Sequence, residues 1–141
     1  TITRLQNMGT PDYLISAATQ LVLAQRLARR SCKECRVPDE DVTPKVLTDL
    51  GFSPELASRV KALKGKGCPK CKDSGYKGRQ GIYEILVVSK PVKEAILRQA
   101  TTPELREIAV KEGFQTMQDM GRRLIANGEL NFREYERVLS S

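Results

Sequence analysis

The sequence predicts an α/β fold that is mostly α, and three observations carry that reading. Helix-opening and helix-closing residues punctuate most of the chain, one β-branched apolar run reads as a strand, and four cysteines fall into two equal pairs. At 141 residues one compact domain is the expectation, and a chain of that size buries roughly two-thirds of its unfolded surface.

The first helix is expected from about Pro11, with Thr10 as its N-cap and Asp12 in its first turn. Leu14, Ile15, Ala18, Leu21 and Val22 make one apolar stripe along it. Over residues 24–30 the pattern is two-sided. Ala24, Leu27 and Ala28 would prolong a helix, whereas Leu23, Gln25, Leu27 and Arg29 would begin an alternating strand. Thr43-Pro44 opens a short helix that Gly51 stops, and Ser53-Pro54 caps another over about 55–63, so a helical hairpin is expected between the cysteine pairs. Gly75, Gly78 and Gly81 recur every three residues, a turn-rich lead into a buried strand over 82–88. After Ser89 short helices follow one another. Thr102-Pro103 opens one that Gly113 closes, Thr116 with Asp119 opens the next, which Gly128 closes, and Asn131 with Glu134 has capping-box spacing for the last. Little more than fifty residues of such helices rarely hold together alone, so a helical cap docked on the preceding part is expected.

Composition removes several classes of chemistry. The chain has no histidine, which excludes an imidazole base, a Ser-His or Cys-His nucleophile and a mixed Cys/His metal site. The Gly65-Lys66 pair is followed by Gly67, so no phosphate-cradling P-loop is present. Apolar stretches are too short or too interrupted for the roughly 20 residues of a membrane span, and the N-terminus shows no signal-peptide pattern. A cytosolic setting with reduced thiols is therefore expected.

The formal charge is +7, and most of it is local. Lys61, Lys64, Lys66, Lys70, Lys72, Lys77 and Arg79 face only Asp73 over residues 61–79, a net +6. Such a run either meets an anionic partner or is a solvated face that offsets a negative metal site. Tyr76 is its only aromatic residue, which argues against a base-stacking platform.

Cys32-x-x-Cys35 and Cys68-x-x-Cys71 use every cysteine in the chain. Two residues between cysteines let a tight turn aim both sulfurs at one ion, and a second turn completes a tetrahedron at about 2.3 Å Zn–S. The 32 residues between the pairs exceed the spacing of a compact zinc ribbon, so the two turns must meet around the helical insertion. Four thiolates leave no open position, which makes the expected Zn²⁺ structural, although iron fits the same geometry. Disulfides are disfavoured by the expected compartment, and a redox Cys-x-x-Cys would not explain two pairs.

Ala24-Gln-Arg-Leu-Ala-Arg-Arg30 ahead of the first cysteine pair, Gly67-Cys-Pro-Lys-Cys71, and Gly75-Tyr-Lys-Gly-Arg-Gln-Gly-Ile-Tyr-Glu84 together resemble the C-terminal part of bacterial secretion ATPases. These are the hexameric motors of type II secretion and type IV pilus assembly, of the PilB and GspE kind. The resemblance runs through the helical tail, including Lys111-Glu-Gly-Phe114 and Gly121. It implies that residues 1–31 are the last elements of a RecA-like ATPase core, with 23–30 a strand, and that 32–80 are a tetracysteine zinc module. It further implies a core strand over 81–88 and a C-terminal helical subdomain over 89–141. The P-loop and other catalytic motifs of the family lie upstream of the matched region. The parent would thus be an ATPase using ATP and Mg²⁺ as a homohexamer, cytoplasmic and peripheral to the inner membrane, engaging a membrane platform protein. This segment alone should not hydrolyse ATP. The metal ligands carried over are Cys32, Cys35, Cys68 and Cys71, and Arg79 sits where the family could bring a cation to the nucleotide. Pilus assembly is favoured over type II secretion by Gly81-Ile-Tyr-Glu84 and the tail. The reading from another class is a zinc-stapled basic module that grips nucleic acid or acidic polysaccharide through residues 61–79.

Overall fold

The computed structural model of the chain describes residues 1–139. In chain order its elements are α1 (Ile2–Asn7), α2 (Asp12–Ala18), β1 (Leu21–Ser31), β2 (Arg36–Pro38), α3 (Pro44–Asp49), α4 (Pro54–Arg59) and β3 (Leu63–Gly65). A single 3₁₀ turn at Pro69–Cys71 then leads to β4 (Tyr76–Val87), α5 (Lys90–Leu97), α6 (Thr102–Lys111), α7 (Met117–Ala126) and α8 (Phe132–Leu139). The described residues thus form a small α/β structure of eight helices and two two-stranded sheets, β1 with β4 and β2 with β3.

The elements gather into two compact units, each discontinuous in sequence: residues 1–24 with 84–116, and residues 25–83 with 117–139. In the first, α2 packs on α5 and α5 on α6. Its core holds Ile15, Val88, Val92, Ile96 and Leu105, with Val22 and Leu86 packed against it. The start of β1 meets the end of β4 there, where the Val88 N–H donates to the Gln20 carbonyl at 3.0 Å. Across this stretch Leu21, Leu23, Ile85 and Val87 stay about half exposed, because the opposite side chains of the same strands take the core.

In the second unit α7 and α8 close over Ala28 and Ile82 from the strands and over Leu47 of α3, Ala57 of α4 and Phe52 from the loop between them. The end of β1 meets the start of β4, with the Cys32 N–H donating to the Gly75 carbonyl at 2.9 Å, so the two strands run antiparallel. β2 and β3 are antiparallel with Arg36 opposite Gly65, Val37 opposite Lys64 and Pro38 opposite Leu63.

Local signals placed the helix starts well. Thr43 Oγ1 accepts from the Val46 N–H at 3.4 Å, Ser53 Oγ from Leu56 at 3.3 Å, and Asn131 Oδ1 from Glu134 at 2.7 Å. Several boundaries differ from the sequence reading: α1 precedes the helix expected to be first, and Pro11, extended and with no side-chain cap bond, stands at the N-cap of α2 in place of Thr10. Leu21 and Val22 belong to β1 and not to the first helix, because Thr19 already turns extended and ends α2. The same strand resolves the two-sided pattern of residues 24–30 in favour of β. α4 stops at Arg59, since Val60 is extended and Leu63 pairs with Pro38. Finally, β4 begins at Tyr76, well before Ile82, through glycines that read as turns.

Candidate metal centre

Two loops that are distant in sequence bring the four cysteines together. One runs from the end of β1 into β2 and carries Cys32 and Cys35; the other runs from β3 through the 3₁₀ turn to β4 and carries Cys68 and Cys71. All four Sγ atoms lie within 4.8 Å of one another. Cys32 and Cys68 are 3.8 Å apart, as are Cys35 and Cys71, and Cys68 and Cys71 are 3.6 Å apart. A tetrahedron with Zn–S near 2.3 Å has edges of about 3.8 Å, so the sulfur spacing fits one ion with four thiolate ligands. No disulfide joins any of them.

The backbone supplies what thiolates need. The Gly67 N–H points to Cys35 Sγ at 3.2 Å, and the N–H groups of Cys68 and Gly75 point to Cys71 Sγ at 3.2 and 3.3 Å. Burial raises the Cys71 thiol, but those two donors and the neighbouring sulfurs outweigh it and bring the pKa down to about 6. Cys35 goes the other way, pushed up to about 11 by burial and by sharing protons with its neighbours, against the single Gly67 donor. Between these two thiols the proton leaves Cys71 before Cys35.

Closing the two loops requires their backbones to touch. A Cβ on Gly65 would lie 1.9 Å from the Gly75 carbonyl oxygen, and one on Gly75 would lie 2.5 Å from the Gly65 oxygen. Gly75 is also left-handed, at φ +80°. Gly65→Ala should therefore pry the loops apart, lowering stability by about 3 kcal/mol and weakening metal uptake. Thermal melts and a zinc titration check this, and a variant that melts and titrates like the parent would show that the contact is unimportant.

Every cation of the basic run is exposed. Lys64 reaches Asp39 at 3.9 Å and Lys70 reaches Glu34 at 4.0 Å, both loose surface pairs. Arg79 is exposed on β4 and lines a shallow cleft with Leu27, Ala28, Arg29 and Arg137. It lies outside the sulfur cluster.

One further group of residues, carried by β1, β4 and α8, goes beyond those the sequence singled out. Glu134 on α8 has a side chain 0% exposed and accepts from Arg29 Nε and Nη2 at 3.1 and 2.7 Å and from the Arg29 backbone N–H at 2.8 Å. Arg137 donates to it twice more, at 2.6 and 2.8 Å. Burial pushes the Glu134 carboxyl up, but the two guanidiniums prevail and hold it at about 2. The Arg29 guanidinium also stacks on Tyr76, 4.1 Å from the ring centroid, and the Tyr76 hydroxyl accepts from Asn131 Nδ2 at 2.9 Å. A signal was available: Glu134 precedes Tyr135 and lies one turn before Val138, so a charged residue interrupts the apolar stripe of α8.

No helix among the described residues is long and apolar enough to cross a membrane. Residues 1–137 match the family profile described as "Type II/IV secretion system protein". The chain is 36% identical over 134 residues to the type IV pilus assembly ATPase PilB of Myxococcus xanthus, covering 95% of this chain and 24% of the relative. It is 42% identical over 123 residues to PilB of Thermus thermophilus, covering 85% of this chain and 13% of the relative. Against the type II secretion system protein HxcR of Pseudomonas aeruginosa it is 34% identical over 137 residues, covering 97% of this chain and 25% of the relative. The chain thus spans about a quarter or less of the length of these relatives. It belongs to the family of type IV pilus and type II secretion ATPases.

Proposed function

We propose that the chain is the C-terminal, zinc-braced part of a motor ATPase that powers type IV pilus assembly. The observation that carries the proposal is the four-sulfur cluster with tetrahedral spacing, set inside a chain whose residues 1–137 match the family. Cys32, Cys35, Cys68 and Cys71 would hold one Zn²⁺, whose role is structural because the protein fills all four positions. The ion contributes its binding energy to folding a segment that has almost no core of its own.

In this reading β1 and β4 complete a RecA-like ATPase core, and the half-exposed row Leu21, Leu23, Ile85 and Val87 supports that placement. Residues 32–80 are the zinc module and 89–141 the helical subdomain, of which 140 and 141 lie outside the described residues. Arg79 carries a cation toward the nucleotide of the parent, which works with ATP and Mg²⁺ as a homohexamer. The parent acts in the cytoplasm against an inner-membrane platform protein. Pilus assembly is favoured because relatives named for it reach 42% identity, against 35% for the type II secretion ATPase E of Vibrio cholerae. The type II secretion motor is the alternative within the family.

One zinc per chain, measured on protein purified without chelator, together with no ATP turnover by the 141-residue chain, is the expected result. Either an absence of metal or measurable hydrolysis would overturn the assignment. A second reading has one observation in its favour. Lys61, Lys66, Lys72 and Lys77 are exposed with no ion-pair partner among the described residues, a surface suited to a polyanion. A salt-dependent shift with nucleic acid or acidic polysaccharide supports it, and no shift at low salt removes it.

A further inference from the structure

We propose that Arg29, Arg79 and Arg137 form a binding site for a phosphoryl group, a dianion seated in the cleft of about 250 Å³ that they line with Leu27 and Ala28. The proposal shares Arg79 with the nucleotide reading above but does not require it.

Glu134 stands behind two of these arginines. Its two oxygens already accept five hydrogen bonds from Arg29 and Arg137, more than the roughly four lone-pair sites of a carboxylate, so none is left for a ligand. No other acidic residue lines the cleft. Arg29 and Arg137 share that one carboxylate and Arg79 has none, so the three guanidiniums and Glu134 together carry a net charge of +2. Glu134 lies behind the arginines and is itself inaccessible, while the side chains of Arg29 and Arg137 remain 51% and 54% exposed.

Donor geometry narrows the ligand. A guanidinium has five N–H donors, and Arg29 and Arg137 each spend their Nε and one from Nη2 on Glu134. Each keeps three, and those of Arg79 are unengaged among the described residues. Two of the three forks are immobilised before any ligand arrives, Arg29 by Glu134 and the Tyr76 ring, Arg137 by Glu134. Planar forks with fixed orientation suit the oxygens of a phosphoryl group, and preorganisation lowers the entropy lost on binding. The lining offers only Leu27 and Ala28 as apolar surface, and the one nearby aromatic face is already covered by Arg29. The cleft thus recognises a phosphoryl group and has no platform for a base.

The test titrates the ¹⁵N-labelled full chain with inorganic phosphate at low salt and follows the Nε–H signals of Arg29, Arg79 and Arg137. Sodium chloride at equal ionic strength is the control. The expected result is saturation with a midpoint on the order of 1 mM, weakened about tenfold in Arg79→Gln. That variant alters an exposed side chain outside the Glu134 network and should keep the parent's melting temperature. Shifts that match the chloride control, or that persist unchanged in Arg79→Gln, would overturn the proposal. A parallel titration with ADP separates the two readings. Saturation by phosphate without competition from ADP supports the cleft and counts against a nucleotide role for Arg79. Saturation by ADP alone, with none by phosphate, overturns the cleft and leaves the nucleotide role standing.

Discussion

Serine in place of Cys71 should cost the chain its metal and much of the order in residues 32–80. Cys71 is the sulfur most prepared for ligation: it lies between Cys35 and Cys68 and receives two backbone donors. Although α3 and α4 pack into the core through Leu47, Phe52 and Ala57, the sulfur loops themselves have little else to rely on. β2 and β3 are three residues each, and a hairpin of that size is not stable by itself. Structural zinc sites contribute roughly 10–16 kcal/mol of binding free energy at neutral pH, so losing a ligand removes several kcal/mol from the folded state. The melting temperature should fall by more than about 10 °C, with amide dispersion lost first in residues 32–38 and 63–75. A strong chelator added to the unaltered chain should do the same. Lys72→Ala, next door but without a ligand atom, should behave like the parent. A Cys71→Ser protein that keeps one ion per chain and its melting temperature would mean that the four sulfurs do not share a ligand.

The second large effect is expected at Glu134. Truncating it to alanine leaves two half-exposed guanidiniums without their shared acceptor, and because water can solvate them in part the loss should be about 2–3 kcal/mol. The pH dependence has a definite sign. The folded-state pKa is about 2 against an ordinary 4.5, so the unfolded chain takes up the proton first as acid is added. The carboxylate's contribution is complete above about pH 4.5 and disappears as the pH falls toward 2. Its size is on the order of 3 kcal/mol at neutral pH. Urea midpoints measured at pH 6 and pH 3 should differ clearly in the parent and much less in Glu134→Gln. Equal acid sensitivity in the two proteins would place the responsible group elsewhere.

What the sequence made legible divides by distance along the chain. Thr43, Ser53 and Asn131 announced three helix starts because a cap is a contact across three residues. The cysteine spacing announced a four-sulfur site because ligand chemistry is specific, even though the sulfurs of Cys32 and Cys68 are 36 positions apart. The strands were harder. Leu21 and Val22 continue the helical stripe of α2 by spacing, yet extended backbone at Thr19 and pairing with β4 decide their conformation, and neither is a local property. β2 and β3 are too short to show alternation and exist because the sulfur loops bring them together. The Asn131–Glu134 spacing suggested a reciprocal cap, and half of it forms. Asn131 takes the Glu134 N–H, but the carboxylate goes to Arg29, 105 residues away. Only the tertiary structure could direct it there.

The placement of Glu134 also sets an order for the chain as it is made. Cys71, the last of the four sulfurs, is synthesised 63 residues before Glu134. On a growing chain emerging from the ribosome, the cysteine loops can meet while Arg29 still faces water with no counter-charge. The sulfur loops and the arginine clasp are thus separated in time, and a nascent chain arrested before Phe132 would carry the first without the second. Helix α8 acts as a latch on Arg29, so a product truncated before Glu134 should keep the sulfur loops but lack the clasp and be more open to proteolysis.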